Sequence, residues 1–157
     1  MRDVFSLPRR AGATPRTTPT NPHQQLDQNA PASGQEALFE RVRALPGVTA
    51  QPSQISVKGA RGFWLSRERA LGPPEAFMIG QEFAHLHPVY DGSLHMMLPL
   101  DIAEEVVTKG WGEVHPAVRR GAMPPNTMMI YGPRDEAELE IVWQIVQRSY
   151  AFATAQR

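Results

Sequence analysis

The chain has 157 residues, 16 acidic against 16 Lys and Arg side chains, and no cysteine. That size fits one domain with a real core, zero net charge removes any bulk electrostatic drive toward nucleic acid or an anionic membrane, and the lack of thiols excludes disulfides, thiolate metal sites and a cysteine nucleophile. No apolar run approaches the roughly 20 residues that span a bilayer, and the opening MRDVFSLPRRAG lacks a secretory apolar stretch, so the expectation is a soluble cytoplasmic protein.

Residues 1–32 carry five prolines with several Thr, Gln and Asn and few large apolar groups. Such a segment has little to offset its ordering entropy, and it reads as a disordered or loosely attached tail. His23 falls in this tail and reads as irrelevant to chemistry. Residues 33–157 read as the folded domain. Ser33 and Glu36 have capping-box spacing, and Leu38, Phe39, Val42 and Leu45 form a stripe ending at Pro46-Gly47. Short strands are predicted at Ile55–Val57, Gly62–Leu65 and Phe77–Ile79. After a hairpin, Asp101 and Glu104 read as the cap of a second helix, which Gly110 ends. A strand at Met128–Tyr131 precedes a last helix capped by Asp135 and Glu138, with Leu139, Val142, Trp143, Val146 and Tyr150 along one face. This order predicts an α+β single domain, an antiparallel sheet with helices packed mainly on one face.

The hairpin is the most informative stretch. In Glu82–His95, EFAHLHPVYDGSLH, three imidazoles surround the turn residues Asp91-Gly92. His85 and His87 are two apart and share a strand face. With a loop of three or five residues, facing partners share parity, and His95 joins them. A four-residue loop would put His95 on the other side. The even positions Ala84, Leu86, Leu94, Met96 and Leu98 make an apolar core face, while Phe83, Ser93 and Met97 accompany the histidines. Glu82 has the wrong parity for that face. Imidazoles on one face suit either structural hydrogen bonding or a functional cluster, including a catalytic zinc or non-haem iron site at His85, His87 and His95. A second polar cluster, Gly110–Pro116, holds Trp111, Glu113 and His115; a third, Tyr131–Asp135, holds Arg134.

The pattern Glu82, Ala84, His85, His87, Asp91, Leu94, His95, then Lys109-Gly110-Trp111-Gly112 with His115-Pro116, then Tyr131, Pro133 and Arg134, resembles the luciferase domain family. That family includes the fungal luciferases that oxidise 3-hydroxyhispidin. The compact hairpin is similar to the family's bacterial branch, and the fungal pattern has histidine where this chain has Tyr90 and glutamine where it has Glu113. Fungal members carry an N-terminal hydrophobic anchor, which does not carry over to this polar opening. The resemblance implies dioxygen as co-substrate, added to an enol-pyrone. Such chemistry needs a base, donors for developing negative charge, and a dry pocket.

On that reading the catalytic candidates are His85, His87, His95, His115 and Arg134. The substrate-binding candidates are Glu82, Phe83, Asp91, Met97, Trp111 and Tyr131. It establishes no cofactor, a divalent metal at the histidines is an option, and the partner is a small molecule. Trp111 reads equally as loop packing, and Arg134 as a structural clamp. The competing class is a non-catalytic module that binds a small ligand or metal through the same histidines. The absence of a Gly-rich phosphate loop counts against nucleotide binding.

Overall fold

A computed structural model describes residues 4–156. It holds three α-helices and six strands: α1 (Ala32–Arg43), β1 (Val48–Pro52), β2 (Arg61–Leu65), β3 (Glu82–Leu86), β4 (Leu94–Met97), α2 (Leu100–Thr108), β5 (Gly112–Val114), β6 (Thr127–Ile130) and α3 (Glu136–Ala153). The strands form one antiparallel sheet in the order β1-β2-β3-β4-β6-β5. The fold class is α+β, as the order of elements predicts.

One sheet face is apolar and the helices cover it. Ala84, Leu86, Leu94, Met96, Met128 and Ile130 join Leu38 and Val42 of α1, Val106 of α2, and Val142, Ile145 and Val146 of α3 in one core. Fully burying each large side chain there contributes about 1.5–3 kcal/mol. Two of the three helix starts differ from expectation. Pro31 and Pro99 occupy the N-cap positions of α1 and α2, with no side-chain cap, and their carbonyls receive the first helical hydrogen bonds from Gln35 and Ala103. Proline has a free carbonyl and a fixed φ, so it suits that place. Ser33 and Asp101 therefore lie inside their helices. Asp135 caps α3 as expected, its carboxylate accepting from the Glu138 N–H at 2.8 Å.

The segments Ile55–Val57 and Phe77–Ile79 form no strands, apart from one bridge between Ile79 and Glu82. Gly112–Val114, read as loop, is the edge strand β5. The expected loose tail is also corrected. Residues 4–31 lie along the domain, with Leu7 buried. Polar groups of this segment supply the attachment: the Trp111 indole donates to the Pro8 carbonyl at 2.7 Å, Lys109 Nζ to the Leu7 carbonyl at 2.7 Å, and Gly132 N to the side-chain oxygen Gln25 Oε1 at 3.0 Å. Polar groups that the domain would otherwise bury unpaired find partners here, which replaces the missing apolar stripe. Residues 1–3 of the expected tail, and Arg157, lie outside the described residues.

Candidate functional site

The hairpin geometry decides where the imidazoles go. Ala84 faces Met96, His85 faces His95 and Leu86 faces Leu94, and His87 N donates to the Ser93 carbonyl at 2.9 Å. That leaves a five-residue loop, 88–92, so parity is shared. Gly92 sits at φ +74, and a Cβ there would fall 2.4 Å from Gln35 Nε2, so glycine alone fits the turn. His85, His87 and His95 consequently share the sheet face opposite the helices. His95 Nδ1 lies 3.0 Å from His85 Nε2 and 3.1 Å from His87 Nε2.

Two further histidines reach the same place. His115 follows β5 and starts the short helix Pro116–Val118; its ring centroid lies 4.6 Å from that of His95. His23 comes from the N-terminal segment, only 3% exposed, with Nδ1 at 2.9 Å from His95 Nε2. All five histidines of the chain therefore line one cavity of about 420 Å³, a size that suits a small molecule. Its remaining wall is largely apolar, with Pro22, Ile55, Val57, Met78, Ala117 and Met123.

Each hairpin histidine has an anchored far side. Glu82 accepts from His85 Nδ1 at 2.9 Å, despite the parity of the sequence. The reason is a β-bulge: Phe63 pairs with Ala84 but Trp64 pairs with Glu82, so Phe83 is the extra residue. The shift carries Glu82 to the histidine face and Phe83 to the core, where it packs edge-on against Tyr150. Gly62 faces His85 across β2 and leaves room for the carboxylate; a Cβ there would fall 2.7 Å from Glu82 Oε1. His87 Nδ1 lies 2.9 Å from Ser93 Oγ and 3.3 Å from Asp91 Oδ2, and Asp91 in turn accepts from the Ser93 hydroxyl and amide. His23 Nε2 is 3.0 Å from Glu113 Oε2, and Glu113 also accepts from Thr17 and from the Tyr131 hydroxyl at 2.8 Å.

Burial sets the protonation. His95 is held well below the ordinary imidazole range by desolvation and then by the neighbouring imidazoles. His85 is lowered by burial, with the Glu82 hydrogen bond opposing. His115 falls to about 4, for the same leading reason. These three rings are therefore neutral at pH 7, and each keeps one lone-pair nitrogen. Burial pushes the Glu113 carboxyl up, but hydrogen bonds from His23, Tyr131 and Thr17 outweigh it and the net shift is downward. The Tyr131 hydroxyl is raised by burial and by Glu113, so it stays protonated as a donor.

Several expected contacts are not made. Phe83 belongs to the core, and Met97, wholly buried beside the histidines, lies outside the cavity lining. Trp111 packs in the core and spends its N–H on Pro8. Arg134 pairs with Glu138 and donates to Gln28 and the Ala11 carbonyl, clamping the N-terminal segment. Glu82, Asp91 and Tyr131 stand behind the site, orienting histidines or Glu113, rather than in its wall. Sequence reasoning missed His23 and the role of Glu113. An Asn-Pro-His triplet in a polar stretch carries no periodic signal; the apolar Val4, Phe5 and Leu7 were the hint that the segment docks.

Residues 80–149 match the Luciferase domain family. The match covers just under half of the chain. It contains His85, His87, His95 and His115, whereas His23 lies outside it. Luciferases of Armillaria gallica and Armillaria mellea are each 41% identical over 76 residues, covering 47% of this chain and 29% of each relative. The luciferase of Neonothopanus nambi is 38% identical over 76 residues, covering 47% of this chain and 28% of its own. The matched region thus spans less than a third of the length of these relatives. No solved structure matches. Among the described residues, no helix is long and apolar enough to cross a membrane.

Proposed function

We propose that the cavity binds a small enolisable compound of the 3-hydroxyhispidin class and promotes addition of dioxygen to it. The observation that carries this reading is the convergence of all five histidines on one apolar-walled cavity. The match of residues 80–149 to the Luciferase domain family and the similarity to fungal luciferases support it. An unprotonated hairpin imidazole takes the enol proton, and His85 suits this because Glu82, 2.9 Å behind it, stabilises the resulting imidazolium. His115 acts differently. Its Nδ1 accepts the Ala117 N–H at 3.0 Å, so the neutral ring carries its hydrogen on Nε2 and donates into the cavity, toward developing negative charge. The enolate carbon then bonds to dioxygen, which takes up the electron pair as a peroxide, and no outside reductant is needed.

Oxygen uptake with 3-hydroxyhispidin as substrate tests the proposal. The expected result is equimolar loss of dioxygen and pyrone with the wild-type chain, strongly reduced in His85→Ala. Saturable binding of the pyrone without any uptake would replace this reading with that of a non-catalytic binding module.

A further inference from the structure

Hydrogen bookkeeping in the cluster leaves a gap that none of its own rings fills. A neutral imidazole carries one ring hydrogen. The His85 hydrogen belongs on Nδ1, facing the Glu82 carboxylate, and the His87 hydrogen on Nδ1, facing Ser93 Oγ and Asp91. His23 faces Glu113 through Nε2, so its hydrogen belongs there and its Nδ1 is a lone pair. His95 Nε2 lies 2.9 Å from that lone pair and must donate to it. The hydrogens are then all spent. Three lone pairs remain, on His85 Nε2, His87 Nε2 and His95 Nδ1, at 3.0 and 3.1 Å across the two contacts to His95. Three ring nitrogens this close, converging from two adjacent strands and the loop between them, offer one cation three donors at once.

We propose that His85 Nε2, His87 Nε2 and His95 Nδ1 form a three-imidazole site for a divalent transition-metal cation. The three atoms lie within 4.8 Å of one another. With metal–nitrogen bonds of about 2.1 Å, ligands at right angles are about 3.0 Å apart, close to the observed spacing. Imidazole sets of this kind suit zinc, iron, copper or nickel. Every ligand has the outer partner such sites use: Glu82 for His85, Ser93 and Asp91 for His87, and Glu113 through His23 for His95. His23, His95 and His115 form a second group within the same distance. It fits a cation less well, because His115 Nδ1 accepts the Ala117 N–H and its Nε2 therefore holds the hydrogen. The inference does not depend on the proposed turnover, since binding is read without any pyrone. A loaded site and a hairpin base are alternative uses of the same lone pairs.

The test is metal content of the purified full chain, followed by chelator stripping and titration with Co²⁺. One equivalent should bind, with a visible spectrum of nitrogen and oxygen ligation, and Zn²⁺ should displace it. His87→Ala should abolish binding, and Glu113→Gln, distant from the ion, should weaken it about 10- to 100-fold. His115→Ala should bind Co²⁺ as the wild type does. If circular dichroism shows that His87→Ala fails to fold, the contrast between Glu113→Gln and His115→Ala carries the result. Absence of saturable Co²⁺ uptake by the wild type overturns the proposal, and so does loss of uptake in His115→Ala alone.

Discussion

His23 Nδ1 lies 2.9 Å from His95 Nε2, across 72 positions of the chain. That contact joins the N-terminal segment to the centre of the hairpin cluster and makes the segment part of the site. His95 is the hub, with three imidazole nitrogens within 3.1 Å of its own.

Removing residues 1–30 should therefore damage the domain. Leu7 would lose its burial, at about 1.5–3 kcal/mol, and the Trp111 indole would lose its acceptor, at about 1–3 kcal/mol for an unpaired buried donor. A loss of that size lowers Tm by about 10 °C in a chain of this length. Thermal melts of the truncated and full chains read it directly, and equal Tm values would mean that the segment merely rests on the surface.

Gly62 and the bulge at Phe83 make a second case. Gly62→Ala would push a methyl to 2.7 Å from Glu82 Oε1, forcing the carboxylate off His85. Turnover should fall toward that of Glu82→Gln while far-ultraviolet dichroism stays unchanged. A fully active Gly62→Ala would show that the Glu82–His85 pair does not matter to the chemistry.

Much of the histidine face was legible in the spacing: His85 and His87 share parity outright, and His95 joins them because the loop has five residues rather than four. Glu82 was not, because one extra residue in β3 reverses every side chain before it. Ile55, Val57 and Met78 have the apolar character of strand residues, but they serve as cavity wall on irregular backbone. Gly112–Val114 escaped notice because three residues with a glycine give no alternation to read. Arg134 and Trp111 kept the polar or aromatic look of site residues while their partners came from a segment expected to be loose.

Arg134→Ala should accordingly cost stability and not catalysis. It removes charge-assisted hydrogen bonds to Glu138 and ties to Gln28 and Ala11, a loss of roughly 1–3 kcal/mol. Urea denaturation should register that loss, with turnover at the wild-type rate. A selective collapse of kcat in a stable Arg134→Ala protein would return this residue to the site.

Acid should destabilise the metal-free protein over a definite window. His115 titrates at about 4 when folded, against about 6.5 for an unperturbed imidazole. The unfolded chain therefore takes up the proton first, and the stability linked to this ring, complete above about pH 6.5, declines as pH falls toward 4. Urea midpoints measured from pH 7 to 4.5 should fall, and less steeply in His115→Ala. A midpoint that rises on acidification would contradict the buried, neutral state of this ring.

The most direct test of the central claim, that the chemistry is organised around His95, is oxygen uptake by His95→Ala beside the wild type on 3-hydroxyhispidin. His95 is the contact shared by His85, His87 and His23, so its loss should misplace the base and cost about 100- to 10,000-fold, the range for removal of a positioned acid–base group, with Tm held near the wild-type value. Uptake at the full wild-type rate in a folded His95→Ala protein would contradict the account.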